Sequence, residues 1–422
     1  MYFIIRIEFF CTFAKNSQIY NIMIIEFTVG NFLSFKEKRT ISFEARGGVS
    51  ELKDNFFPFE KQKLLRSVVL YGANSSGKSN LIKAFERMKN CVLNSVRLNE
   101  TDNLSFSPFL LAAETENQPT FFEVILSIEN QTFRYGFEYN LTKIINEWLF
   151  EVQKTKEKVL FVRTLEGIAV ADNFEEGKDK EKITNDNRLF VSLVAQLGGE
   201  TSKNILLWFD RFCNIVSGIE NIKYKDISLE ILNKNTKIFN TSLKLFKDLQ
   251  LGFNNIEIAE DKENKRLILN TFHNKYNAKG DIVSQNVWDN RLNESEGTKK
   301  IIDFAGMIFD TLQFGKMLII DELDSKLHPL ITMQIIQLFN NPEINQNNAQ
   351  LLFATHDTNL LSTDIFRRDQ VWFTEKDNTE QTDLYSLDDF VFADGTKVRK
   401  DANLEKNYIA GRYGAIPYIT NL

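Results

Sequence analysis

Eight residues, Gly72-Ala73-Asn74-Ser75-Ser76-Gly77-Lys78-Ser79, carry the most specific chemistry in this chain. Their pattern, G-x-x-x-x-G-K-S, suits a loop that wraps phosphate. Gly72 and Gly77 let the backbone curl, so that successive N–H groups face inward onto phosphate oxygens. Lys78 adds a cation for the β- and γ-phosphates, and the Ser79 hydroxyl is placed for Mg²⁺. Three further groups lie downstream. Asp321 and Glu322 follow the apolar run Met317-Leu318-Ile319-Ile320. There Asp321 suits the Mg²⁺ shell, and Glu322 suits a base that orients or deprotonates an attacking water. His356 closes a second apolar run, Leu351 to Ala354, where an imidazole can reach a γ-phosphate. Ser295 and Gly297 open a helical pattern, and a helix N-terminus with a small hydroxyl residue is a phosphate site. Each downstream group also has an ordinary structural reading: a buried strand ending in acids, a satisfied histidine, a capped helix.

These residues need particular elements beneath them. Leu65 to Tyr71 reads as a short buried strand entering the loop, and Asn80 to Phe85 as the opening of a helix that runs to about Val96. The two apolar runs before Asp321 and His356 read as parallel strands whose C-terminal ends present side chains to one site. Thr120 to Tyr139 reads as a hairpin. Phe122, Val124, Leu126 and Ile128 alternate, Glu129-Asn130-Gln131 turns, and Phe133, Tyr135, Phe137 and Tyr139 alternate again. Residues 23–45 read as two strands, and strands continue to about Val170. Leu189 to Leu251 looks helical, with strands returning from Asn255 to Trp288.

In their order along the chain these motifs resemble the ABC-type ATPase head. The resemblance implies an α/β fold, a P-loop ATPase head with an antiparallel β lobe and a mainly helical insertion. It implies ATP and Mg²⁺ as ligands, ATP hydrolysis, and a signature at Ser295-Glu296-Gly297. In that superfamily two heads face each other, and the signature of one closes on ATP held by the other. By the same resemblance Asp324 lines the seam between heads, and the nucleotide is held by Gly72 through Asn80 together with Ser295 and Gly297 in trans. The non-transporter branch, with SMC-, RecF- and OLD-type heads, is nearest, because Glu296-Gly297-Thr298 departs from the transporter signature. Four stretches are similar to stand-alone AAA-labelled ATP-binding proteins of abortive-infection and anti-phage modules: Ile25 to Phe35, Glu322 to Pro329, Arg367 to Phe373 and Gly411 to Pro417. The function implied is an ATP-driven switch that associates head-to-head as a homo-oligomer and controls a separate effector such as a nuclease. The alternative is a RecF-like DNA-maintenance ATPase, which leaves DNA open as a partner. Leu33 stands where many SMC-like relatives place a basic residue, and Gln118 is a candidate for the glutamine that contacts Mg²⁺.

Composition narrows the setting. A net charge of −6 and a pI near 5.5 give no broad cationic surface, and the tight basic pairs Lys299-Lys300 and Arg367-Arg368 read as solvated faces. Three scattered cysteines and three histidines suggest a reducing cytoplasm, with no disulfide framework and no zinc spacing. No run of 18 apolar residues predicts a membrane span. Residues 1–22 read as an extension from a misassigned start, followed by lobe I over 23–174, an insertion over 175–254 and lobe II over 255–422. After His356, 66 residues remain, too few for the separate Toprim nuclease domain of OLD-type relatives, and Asp388-Asp389 reads as a helix start.

Overall fold

The structure, a computed structural model, describes residues 22–60, 62–153, 156–216, 222–261 and 266–417. Cys11 and the expected extension, Ile22 apart, lie outside the described residues.

The chain enters through β1 (Ile22–Gly30) and β2 (Arg39–Ser42), then a small hairpin of β3 (Phe56–Phe59) and β4 (Gln62–Leu65). β5 (Ser67–Tyr71) leads into the phosphate loop and α1 (Lys78–Asn94). A meander follows: β6 (Thr120–Ile128), β7 (Gln131–Tyr139), β8 (Ile144–Gln153), β9 (Lys156–Thr164) and β10 (Gly167–Val170). Next come α2 (Phe190–Gln196), α3 (Glu200–Leu207), β11 (Cys213–Val216), α4 (Ile222–Lys234) and α5 (Thr236–Asp248). A second meander of β12 (Asn255–Asp261), β13 (Arg266–Tyr276) and β14 (Ile282–Asp289) runs into the short α6 (Asn290–Asn293) and the long α7 (Glu296–Phe314). The last part is β15 (Met317–Ile320), α8 (Pro329–Asn340), β16 (Gln350–Ala354), β17 (Val371–Lys376), β18 (Thr382–Ser386) and α9 (Leu404–Ile409).

Two sheets frame the molecule. The core sheet has the order β11-β15-β16-β5-β17-β18, parallel throughout except for the β17–β18 hairpin. β5, β15 and β16 are buried at every residue, which is why they read as unbroken apolar runs rather than alternating ones. Successive residues serve opposite faces. Val68, Leu70, Met317, Ile319, Leu352 and Ala354 join one core with α1 and the antiparallel lobe. Val69, Tyr71, Leu318, Ile320, Leu351 and Phe353 join another with α7 and α8. The phosphate loop leaves the C-terminal end of β5 between these layers, where open α/β sheets bind ligands.

The lobe sheet is antiparallel, in the order β10-β9-β8-β7-β6-β1-β2. Glu129 and Asn130 join β6 to β7 with φ of 50° and 68°, the twist a two-residue hairpin turn requires.

Three details differ from the sequence reading. The 175–254 stretch contains the strand β11, which pairs in parallel with β15 in the core sheet. The short α2 beside it packs into the first core through Phe190, Val191 and Val194. β11 went unread because Cys-Asn-Ile-Val sits directly against a helical pattern, where a short apolar run cannot be told from a helix end. Asp388 and Asp389 lie in a turn, where Ser386 Oγ donates to Asp389 at 2.8 Å, rather than at a helix start. Among the described residues no helix is long and apolar enough to cross a membrane.

Candidate nucleotide-binding site

The loop between β5 and α1 is shaped by what presses on it from behind. A Cβ at Gly72 would stand 2.4 Å from the Thr374 carbonyl oxygen, and one at Gly77 would stand 2.4 Å from Thr382 Oγ1. Both glycines also hold positive φ, at 152° and 120°. Only glycine satisfies both demands. The buttress is the β17–β18 hairpin. Ser76 Oγ lies 2.6 Å from Thr374 Oγ1, and Thr382 Oγ1 lies 2.9 Å from the Ser76 carbonyl and 2.7 Å from Ser34 Oγ. Asn80, on the first turn of α1, donates to Ser34 Oγ at 2.8 Å. The start of α1 at Gly77 receives no side-chain cap, so its leading N–H groups are free to meet an anion. Asn74 and Ser75 at the loop tip are exposed, Ala73 and Ser79 are half-buried, and Ser75 has φ 63°.

Lys78 is buried and donates to the Gly72 and Ala73 carbonyls at 2.6 and 3.1 Å. Burial pushes its pKa down to about 8, against the pull of Asp321, Asp324 and Glu322. Those acids follow β15, and the Asp321 N–H donates to Val216 at the end of β11. Asp321 Oδ1 and Asp324 Oδ1 are both buried with no hydrogen-bond partner. A buried carboxylate oxygen without a donor calls for a cation. Asp321 and the Ser79 hydroxyl therefore fit a Mg²⁺ ion, which needs few protein ligands when substrate phosphates and water complete its shell. His356 is exposed at the end of β16. Its main-chain N–H points to Asp324 Oδ2 at 3.4 Å, and its pKa is lowered by burial and by Lys78, with Asp324, Glu322 and Asp321 opposing. The lowered pKa favours the neutral imidazole, which has one N–H to donate.

Glu322 has φ 53°, a left-handed conformation that is costly for a residue with a side chain. It is held by Lys300 on α7. The Lys300 ammonium is buried and donates to the carbonyls of Glu322 at 3.0 Å, Leu323 at 3.2 Å and Ser325 at 2.5 Å. Lys300 thus ties α7 to the turn that carries the acids, which corrects its reading as a solvated face. Arg367 is likewise buried, paired with Asp369 at 2.8 Å and donating to Val49 and Glu51 carbonyls. Arg368 is half-buried, with Glu51 at 2.8 Å.

Ser295 is the N-cap of α7, accepting from the Thr298 N–H at 3.2 Å. Gly297 sits against the acid-bearing segment, where a Cβ would lie 3.1 Å from the Lys326 carbonyl. Behind Ser295, Glu294 accepts from Thr271 Oγ1 at 2.6 Å and lies 2.8 Å from His273 Nε2, both on β13. Among the described residues no hydrogen bond joins Ser295 or Gly297 to the phosphate loop of the same chain.

Sequence reasoning missed Ser34, Thr374, Thr382 and Lys300. Ser34 and Thr374 lie within or next to stretches singled out for resemblance, but their work as a brace shows only once β17 is placed beside β5. Leu33, with φ 50°, and Phe32 line a cavity together with Lys83, Glu86 and Arg87 of α1. Gln118 is exposed, its carbonyl accepts from Asn31, and no hydrogen bond brings it to Asp321.

Fold and site together define a P-loop ATPase head, with its phosphate loop, the acidic end of β15 and His356 on adjacent parallel strands. The chain belongs to the family described as "AAA domain, putative AbiEii toxin, Type IV TA system", which matches residues 67–362. No curated protein matches it. Among solved structures it is similar to an SMC head domain from Thermotoga maritima, at 14% identity and a TM-score of 0.41, covering 86% of this chain and 98% of that one. It is also similar to an SMC head bound to the C-winged helix domain of ScpA, at 14% identity and a TM-score of 0.38, covering 86% and 97%.

Proposed function

We propose that this protein is an ATP-hydrolysing switch whose heads associate on ATP and control a separate effector in anti-phage defence. The observation that carries the chemistry is the meeting of a buried Lys78 with Asp321, Glu322 and Asp324, two of which hold buried oxygens without a donor. Lys78 and the loop N–H groups hold the β- and γ-phosphates. Ser79 and Asp321 would hold Mg²⁺, which when bound would supply positive charge to the phosphate oxygens. Glu322 takes a proton from a water that attacks the γ-phosphorus in line, and the bond to the β–γ bridging oxygen breaks. Neutral His356 donates to a γ-phosphate oxygen and is placed to report its loss.

Ser295 and Gly297 make no hydrogen bond to their own phosphate loop, which supports their use by a second head. The defence setting draws support from the toxin named in the family description. Phage plating on cells carrying the protein with its neighbouring genes tests it. Lys78→Ala should remove protection while leaving protein levels unchanged. Protection that persists with Lys78→Ala would sink the switch reading.

A further inference from the structure

β14 is the free edge of the three-stranded sheet β12-β13-β14, with no strand beyond it among the described residues. All but its last residue are exposed, including Ile282 at 60%, Val283 at 57%, Val287 at 55% and Trp288 at 36%. Protein edges of this kind are normally guarded by lysine, proline, inward charge or a bulge, and of these β14 has only the irregularity at Val283. β14 carries no charge and no proline from Ile282 to Trp288. By contrast, the opposite edge, β12, carries Glu257, Glu260 and Asp261.

The order of residues in β14 favours one partner. Ile-Val-Ser-Gln-Asn-Val-Trp reads apolar-apolar-polar-polar-polar-apolar-apolar, a hydropathy palindrome about Gln285. Antiparallel pairing with an identical strand has two-fold symmetry. Centred on Gln285, it sets Ser284 opposite Asn286 and brings the Ile282-Val283 end of each copy beside the Val287-Trp288 end of the other, apolar against apolar. No charges oppose one another within those seven positions. Asp281 and Asp289 meet only at the ends, where Asn277 Nδ2 donates to Asp281 at 2.9 Å and the Arg291 N–H to Asp289 at 2.8 Å. The β13–β14 register shifts between Lys275 and Tyr276 and leaves Val283 unpaired, so Ile282 and Val283 sit at a bulge, while the regular ladder from Ser284 to Asp289 contains the proposed axis.

We infer that β14 is a docking edge for a second copy of this chain, which joins two three-stranded sheets into one of six strands without nucleotide. The contact also reaches the catalytic head. Trp288 stacks on His273 at 4.0 Å, and His273 lies 2.8 Å from Glu294, next to Ser295. A fixed edge contact would therefore hold two signature turns in a set relation before ATP arrives.

The test uses the full chain without nucleotide, in a Cys11→Ser background, since Cys91 is half-buried and Cys213 buried. Gln285→Cys places a thiol on the two-fold axis. There paired Cα atoms lie about 4.5–5.5 Å apart, within disulfide reach. Mild oxidation should give a reducible covalent dimer well above the background chain. The exposed pair Val283→Lys and Val287→Lys should halve the mass seen by light scattering, with the melting temperature unchanged. Adding Lys78→Ala should leave the Gln285→Cys cross-link intact, which separates this edge from ATP-driven closure. A monomeric nucleotide-free wild type would overturn the inference. So would a Gln285→Cys chain that cross-links no more than its background, or a dimer indifferent to the two lysines.

Discussion

The Lys300 ammonium donates to the Glu322 main-chain carbonyl at 3.0 Å, so the helix opened by Ser295 grips the turn that carries the proposed base. Two further carbonyls, of Leu323 and Ser325, share the same cation. Glu322 keeps its left-handed backbone, at a cost of about 1–3 kcal/mol, only because its surroundings over-determine it. Lys300 is therefore a direct link by which a shift of α7 would reach Glu322.

Lys300→Met keeps the length and loses the cation. Turnover should fall by about 100-fold, the scale of a misplaced reacting group, while ATP affinity measured by calorimetry stays within a few-fold. Unchanged turnover would show that the turn holds itself.

Lys300 also sets a pH dependence. Burial pushes its pKa down to about 8 from an ordinary value near 10.5. Between those values the unfolded chain binds more protons than the folded one, so stability from this group rises with pH across that window. Below about pH 8 both states are protonated and the cost of burying the charge is fully present. The melting temperature of wild type should therefore rise relative to that of Lys300→Met as pH rises from 8 toward 10. A pH-independent difference would contradict the buried cation.

Gly72→Ala and Gly77→Ala each drive a methyl group into the β17–β18 brace. Either should abolish nucleotide binding in calorimetry, as Lys78→Ala should by a different route. Thr382→Val removes the hydroxyl that bridges Ser34 and Ser76 while leaving the shape. It should weaken ATP binding by about tenfold, the worth of one or two hydrogen bonds. Wild-type affinity in Gly77→Ala would reject the loop assignment.

The placement of the candidate site was legible because its signals are local: Gly72 to Ser79 carries its own strand and helix signals, and Asp321 and His356 each close an apolar run. The β6–β7 hairpin was legible for the same reason, through period-two alternation. What stayed hidden is made by contacts distant in sequence. Thr374 and Thr382 brace a loop about 300 residues earlier. Lys300 reads as one of a basic pair, and nothing local shows that its ammonium turns inward onto Glu322. Arg367 has the same history, since its partners at Val49 and Glu51 lie 318 and 316 residues away.

Arg367 and Asp369 form a buried pair, so removing Arg367 leaves the Asp369 carboxylate buried with the Arg46 N–H, at 2.8 Å, as its remaining donor. Arg367→Ala should cost about 3–5 kcal/mol in urea unfolding. A loss under about 1 kcal/mol, the worth of a surface pair, would show that the charge finds water.

Light scattering of Glu322→Gln with and without ATP tests the switch most directly. Without the base, Mg²⁺ and ATP should bind but hydrolysis should nearly stop, so ATP stays trapped between heads and the mass rises on its addition. Ser295→Arg in the same protein should cancel that rise by blocking the signature from the opposing γ-phosphate. A Glu322→Gln protein that hydrolyses ATP at the wild-type rate, or whose mass ignores both ATP and Ser295→Arg, would contradict head-to-head closure.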